Sequence, residues 1–218
     1  MSKQHKQQSQ AVWDASPAGT TFARGAKPGT KEFFERVLKK RSEYEQPWLF
    51  EIISFAEMRD KKVLELGCGA GYDAYEFCRQ SANYTGIDIA TENPKRTQQH
   101  LAYYNYEPKV IRGDVENLMF PDETFDVVFS NGVLHHTPHM EKSFQEAYRV
   151  LKPGGEFNVI LYHRNSIFYW LTVGLYNTLD VKLKSKFYVM MGHKSSKNDY
   201  RHLKHADFKE FRILSKIV

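Results

Sequence analysis

The run Val63-Leu-Glu-Leu-Gly-Cys-Gly-Ala-Gly71 constrains this chain more than any other stretch. A short apolar segment runs straight into three glycines set at every second position. Glycine tolerates left-handed backbone and lets another molecule approach bare main chain, so the run reads as strand, sharp turn and helix start. The spacing separates two ligand classes. The dinucleotide fingerprint G-x-G-x-x-G requires a glycine at position 72, where this chain carries Tyr72. The pattern G-x-G-x-G suits a ligand without a pyrophosphate, which sets a nicotinamide oxidoreductase aside.

The rest of the chain fits a frame around that turn. Strands are expected at 63–66, 84–89, 109–112, 125–130 and 156–162, with helices through about 80, over 94–106 and over 140–151. The fourth strand, FDVVFS, is nearly all apolar, as a strand covered on both faces should be. Lys152-Pro153-Gly154-Gly155 is read as the stop of the last helix. Strands alternating with helices at this spacing define a doubly wound, Rossmann-like α/β domain. Its sheet is mostly parallel, with helices on both faces. Ligands in such sheets sit at the carboxyl ends of the strands, so residues just after Leu66, Ile87, Ile111, Ser130 and Leu161 should line one cleft.

Two acids fall where an adenosine needs them. Asp88 ends the second strand, placed to accept the ribose hydroxyls, and Asp114 follows the third, placed to accept from an adenine amino group. Either acid alone is as readily a helix cap. Glu65 is an acid inside an apolar strand and demands a partner, either the N–H groups of the glycine turn or a ligand ammonium.

VLELGCGAG, GIDIA, GDVENLMFPDETFDVVFSNGVLHH and RVLKPGG together resemble the class I S-adenosylmethionine-dependent methyltransferases, in the group that includes ubiquinone and menaquinone biosynthesis enzymes. The resemblance covers about 61–162. It implies S-adenosyl-L-methionine as methyl donor, with Gly67, Cys68, Gly69 and Gly71 meeting it through backbone. Asp88 and Ile89 would lie at the ribose, Asp114 and Val115 at the adenine, and Asn131 beside the methionine moiety. Family members usually close the sheet with two further strands. Here only 211–217 reads as a late strand, so the terminal hairpin looks incomplete, by truncation or divergence.

Methyl transfer from a sulfonium needs alignment and exclusion of water, and an O–H or C–H acceptor also needs a base. His135 and His136 after the fourth strand, and Tyr162 and His163 after the fifth, are the candidates, His135 and His163 foremost. In an extended segment His135 and His136 would point opposite ways. No metal site is expected, because Pro138 breaks the helical relation of His135 to His139.

The domains read as a loose polar tail over 1–28, a helical cap over 29–60 that either lies over the cleft or simply packs, the donor-binding core over 61–162, and a helix, basic segment and final strand over 163–218. The apolar stretch 166–176 walls an acceptor pocket, rests on a membrane surface, or packs in the core; it is too short to span a bilayer.

Net charge is +5, with lysines gathered at 182, 184, 186, 194, 197 and 204. That run reads as a solvated face rather than a nucleic-acid site, because no aromatic stacking platform accompanies it. Position 131 begins Asn-Gly-Val, not the Asn/Asp-Pro-Pro-aromatic motif of base-amino methylation. A small-molecule methyl acceptor is therefore expected. A nucleic-acid methyltransferase and a donor-binding module without turnover are the alternatives. Two cysteines, Cys68 and Cys78, form no disulfide framework, which suggests a reducing, cytoplasmic setting. Nothing in the sequence assigns an oligomeric state.

Overall fold

A computed structural model of the chain describes residues 2–15 and 19–161. Among the described residues five parallel strands form one sheet in the order β3-β2-β1-β4-β5, and the late strand expected at 211–217 lies outside them. They are β1 (Lys62–Leu66), β2 (Asn83–Asp88), β3 (Lys109–Arg112), β4 (Phe125–Asn131) and β5 (Leu151–Ile160). The strand order reverses between β1 and β4, so the crevice at the carboxyl tips opens there. The expected fold class is the observed one.

Alternation within the strands sends side chains to two cores. Leu64, Leu66, Ile87 and Val128 pack with Phe144, Ala147 and Val150 of helix α6 (Met140–Val150). On the other face Val63, Val127 and Phe129 pack with Phe77 of α4 (Tyr72–Arg79) and Leu101 of α5 (Glu92–Ala102). Each such fully buried side chain contributes about 1.5–3 kcal/mol of apolar burial.

Nearer the N-terminus, α2 (Lys31–Lys40) starts at Thr30, whose hydroxyl accepts from the N–H of Phe33 at 3.3 Å. Phe33, Phe34 and Val37 fall on one face and pack with Ala70 and Tyr72, so the helix seats directly on the glycine bend. A single π turn over Arg41–Glu45 follows, then the short α3 (Leu49–Ile52).

Two elements differ from the sequence expectation. Ser2–Ala15, read as a loose tail, is the helix α1. Lysine and glutamine favour helix, but a helix this length is marginal alone. Polar contacts to the strand tips hold it, and these leave no periodic signature. The segment Lys152-Pro153-Gly154-Gly155 is also more than a helix stop, because β5 begins before it. Leu151 pairs with Phe125, and the ladder resumes with Glu156 opposite Val127. The residues between bulge outward. Pro153 has no N–H to give a ladder, and Gly154 takes φ +73.

Candidate donor-binding site

Gly67, Gly69 and Gly71 all have positive φ, at +86, +57 and +80, turning the chain from β1 into α4. They do different work. A Cβ on Gly67 would stand 2.4 Å from Val133 Cγ2, and one on Gly71 2.9 Å from Thr97 Cγ2, so both are closed against protein. A Cβ on Gly69 would meet nothing within 4 Å. The bend therefore presents bare main chain to open space at its middle glycine, the wall a flat ligand needs.

The turn is pinned to the neighbouring strand. The N–H groups of Gly67 and Cys68 both donate to the Ile87 carbonyl, at 2.8 and 3.0 Å. Gly69 N–H donates to Asp88 Oδ2 at 2.9 Å, Asn93 Nδ2 donates to the same oxygen at 3.1 Å, and Ala90 N–H donates to Oδ1 at 2.9 Å. Asp88 thus holds the bend in place as well as standing at the strand tip. Burial pushes its carboxyl up, opposed by those three N–H groups. The Cys68 thiol is pushed well up by burial, beside Asp88 and Glu65, and is no nucleophile near neutral pH.

Glu65 does not serve the turn as expected. It is 1% exposed and accepts the Tyr84 hydroxyl, on the face that packs under α4. Gly86, its partner across β2, makes this possible, since a Cβ there would fall 2.5 Å from the Tyr84 hydroxyl. Burial, with Asp73 nearby, lifts the Glu65 carboxyl well above its ordinary range. Tyr72, where the dinucleotide pattern wants glycine, packs its ring beside His100 and under the Arg41 guanidinium, 5.3 Å away. Burial takes His100 down to about 4, so it is neutral near pH 7.

Asn131, at the tip of β4, belongs to a network that sequence reasoning missed. Its Nδ2 donates to Gln46 Oε1 at 2.9 Å and to Asp73 Oδ2 at 3.0 Å. Arg41 Nη2 donates to Gln46 Oε1 at 2.6 Å and to Asp73 Oδ1 at 3.2 Å. Burial works against the Arg41 charge, but the Asp73 and Glu45 carboxylates more than offset it. An acid in the first turn after the glycine bend was a readable signal for Asp73; nothing in the sequence marks Arg41 or Gln46.

At the other end of the cleft, Asp114 Oδ1 accepts the N–H of Glu116 at 2.9 Å, and its Oδ2 lies 2.6 Å from Lys6 Nζ. Val115 is buried in the core, and Ile89 lines a cavity of about 610 Å³ with Arg112, Gly113 and Asp114. Beyond β4, His135 and His136 are not in an extended segment. They lie in a single 3-10 turn, Leu134–His136, with ring centroids 4.1 Å apart. The turn brings them together where a strand would have separated them. Tyr162, His163, the apolar stretch 166–176 and the basic segment lie outside the described residues.

Residues 64–159 match the methyltransferase domain family. Over 101 residues the chain is 40% identical to phthiotriol/phenolphthiotriol dimycocerosates methyltransferase 1 of Mycobacterium ulcerans, covering 45% of this chain and 36% of that one. Over 104 residues it is 36% identical to sterol 24-C-methyltransferase erg-4 of Neurospora crassa, covering 46% and 27%. An inferred S-adenosylmethionine-dependent methyltransferase from Methanococcus maripaludis superposes with a TM-score of 0.52 at 17% identity, covering 81% of this chain and 90% of that one, which shows the shared fold. Residues 64–159 of this chain are thus similar to methyltransferase domains, and its fold is one that such enzymes share. The matched stretch spans about a third of the length of the two curated relatives.

Proposed function

We propose that this chain transfers a methyl group from S-adenosyl-L-methionine to a small, apolar, lipid-like acceptor. The observation that carries this reading is the open middle of the glycine bend at Gly69, facing Asp88 across 2.9 Å. Arg41 and Asp73 set a cation and an anion side by side beside Asn131, the complement of an amino-acid zwitterion. Asp88 and Ile89 take the ribose, and Asp114 the adenine. Bound there, the donor supplies an electrophilic methyl carbon. The chain's own contribution is to hold the two partners in line and keep water out.

His135 and His136 stand at the tip of the strand beside the donor cleft, where an imidazole can take a proton from an acceptor hydroxyl or carbon acid. Tyr162 and His163 are the further candidates for that proton. An apolar acceptor is supported by the relatives, one a sterol 24-C-methyltransferase and the other a phthiotriol/phenolphthiotriol dimycocerosates methyltransferase. Among the described residues no helix is long and apolar enough to cross a membrane. Both cysteines are free thiols, which supports the reducing, cytoplasmic setting.

The test is transfer of labelled methyl from S-adenosylmethionine into a lipid extract and into RNA, alongside calorimetry with S-adenosylhomocysteine. We expect incorporation into the lipid fraction alone, with little salt dependence. His135→Ala or His163→Ala should lower turnover by about 10²–10⁴-fold with donor affinity nearly intact. A folded chain that binds no S-adenosylhomocysteine, or that labels only RNA, refutes the proposal.

A further inference from the structure

Helix α1 lies across the tips of the strands, yet none of its side chains from residue 4 onward belongs to the buried apolar clusters. Polar and edge contacts seat it. Asp14 Oδ1 accepts the N–H groups of Thr91 and Glu92, both at 2.8 Å, ahead of α5. Gln10 donates to Thr91 Oγ1 at 3.0 Å and accepts from Arg112 at 2.9 Å. The Trp13 ring meets His136 edge-on at 5.6 Å. At the centre, Lys6 Nζ stands 2.6 Å from Asp114 Oδ2 and 2.6 Å from Glu116 Oε2, with the Glu116 side chain only 3% exposed.

The position of Lys6 matters. Lys6, Gln7 and Gln10 form one wall of the 610 Å³ cavity whose other wall is Ile89, Gly113 and Asp114. Asp114 is the carboxylate assigned to the adenine amino group. Its Oδ1 is held by the Glu116 N–H and its Oδ2 by an ammonium. An amino group arriving at Oδ2 meets a charged donor already in place.

We propose that α1 is a detachable strap over the adenine end of the cleft, latched by Lys6, and that Lys6 and the donor's adenine amino group compete for Asp114. This rests on the reading of Asp114 as the adenine partner. With the donor absent, Lys6 bridges Asp114 and Glu116 and the strap is down. When the donor binds, Asp114 passes to the adenine, Lys6 keeps only Glu116, and α1 loosens. With no apolar seat, α1 loosens at its Lys6 end when the Asp114 ion pair is exchanged, while Asp14, Gln10 and Arg96 still tether its far end.

Two measurements on the full chain test this. The first needs no donor: amide hydrogen exchange over residues 2–15, read by mass spectrometry. Lys6→Gln should exchange faster there by about tenfold. Raising salt from about 0.01 M to about 1 M, where the screening length falls from roughly 30 Å to 3 Å, should speed the wild type toward the variant. The second is calorimetry with S-adenosylhomocysteine, which Lys6→Gln should bind about three- to tenfold more tightly, the worth of one released, partly exposed ion pair. The same ligand should speed exchange of α1 in the wild type.

Weaker binding by Lys6→Gln, or slower α1 exchange with ligand bound, would make the helix an ordinary wall of the filled site and overturn the strap. Unchanged α1 exchange in Lys6→Gln would overturn the latch. A chain that binds no S-adenosylhomocysteine in either form overturns the donor reading and the competition with it. In that case the exchange arm still decides whether Lys6 holds the helix down.

Discussion

Asp88 is asked to do two things at once, and its replacement separates them. In Asp88→Ala the N–H groups of Gly69 and Ala90 lose their acceptor inside the fold, as does the amide of Asn93, itself 3% exposed. A stranded buried donor costs about 1–3 kcal/mol, so the buried Ala90 N–H together with the half-buried Gly69 N–H costs roughly 2–4 kcal/mol of stability. At about 2–4 °C per kcal/mol for a chain of this size, the melting temperature should fall by roughly 5–15 °C. Asp88→Asn keeps one side-chain oxygen and should lose about half as much stability. Donor affinity should respond differently. Both variants lack the second charged oxygen that accepts the ribose, so both should bind S-adenosylhomocysteine more weakly by about 1–3 kcal/mol. Thermal unfolding and calorimetry on the two variants read the two quantities independently. Wild-type affinity in Asp88→Asn would remove the carboxylate from the donor site. An unshifted melting temperature in Asp88→Ala would mean that the bend is held by something else.

Two further outcomes follow from the same geometry. Glu65 has its folded-state carboxyl pushed well above its ordinary value of 4.5, so its share of stability is fully present below about that pH and is lost as pH climbs through the raised value. Glu65→Gln should therefore gain stability over the wild type as pH rises above about 5, by at most about 1.4 kcal/mol per unit; chemical denaturation that gives parallel pH profiles would refute a neutral Glu65. Gly67→Ala should cost about 2–5 kcal/mol, from left-handed backbone plus the clash with Val133, whereas Gly69→Ala should cost only about 1–2 kcal/mol but lose donor affinity. Equal melting curves for the two alanine variants would contradict the assignment of Gly69 as the open wall.

The frame of the fold was readable because each strand is an apolar run bounded by turn residues, and burial on both faces leaves little else for such a run to be. Lys109–Arg112 matches its expected bounds, and the other strands and helices shift mostly by a residue or two. Asp88 and Asp114 stand at the end of β2 and just after β3, where the strand pattern put them. What failed is equally physical. Glu65 takes the Tyr84 hydroxyl and not the N–H groups of the glycine turn. The pairing of Glu65 with Gly86 depends on register, and the room that glycine leaves for the Tyr84 hydroxyl is invisible before the strands are aligned. His135 and His136 were taken as extended because β4 precedes them, yet Gly132, with φ +72, lets the chain curl into a turn at once.

The remaining misses share a cause that bears on function. Arg41 and Gln46 join Asp73 and Asn131 at the tip of β4, and Lys6, Gln10 and Asp14 meet the residues that follow β2 and β3. All come from segments before the core, and all make hydrogen bonds to residues 32 to 108 positions away in sequence. Apolar burial repeats along a helix or strand and so leaves a period; a hydrogen bond to a distant strand tip does not. The same property makes these contacts adjustable. A core side chain removed from its cluster costs several kcal/mol, whereas one partly exposed ion pair costs about 1 kcal/mol or less, within reach of the binding energy of a small ligand. The parts of the cleft that sequence cannot reveal are therefore the parts that an arriving donor can rearrange. Donor affinity should accordingly respond to changes at Lys6 that leave the folded core untouched.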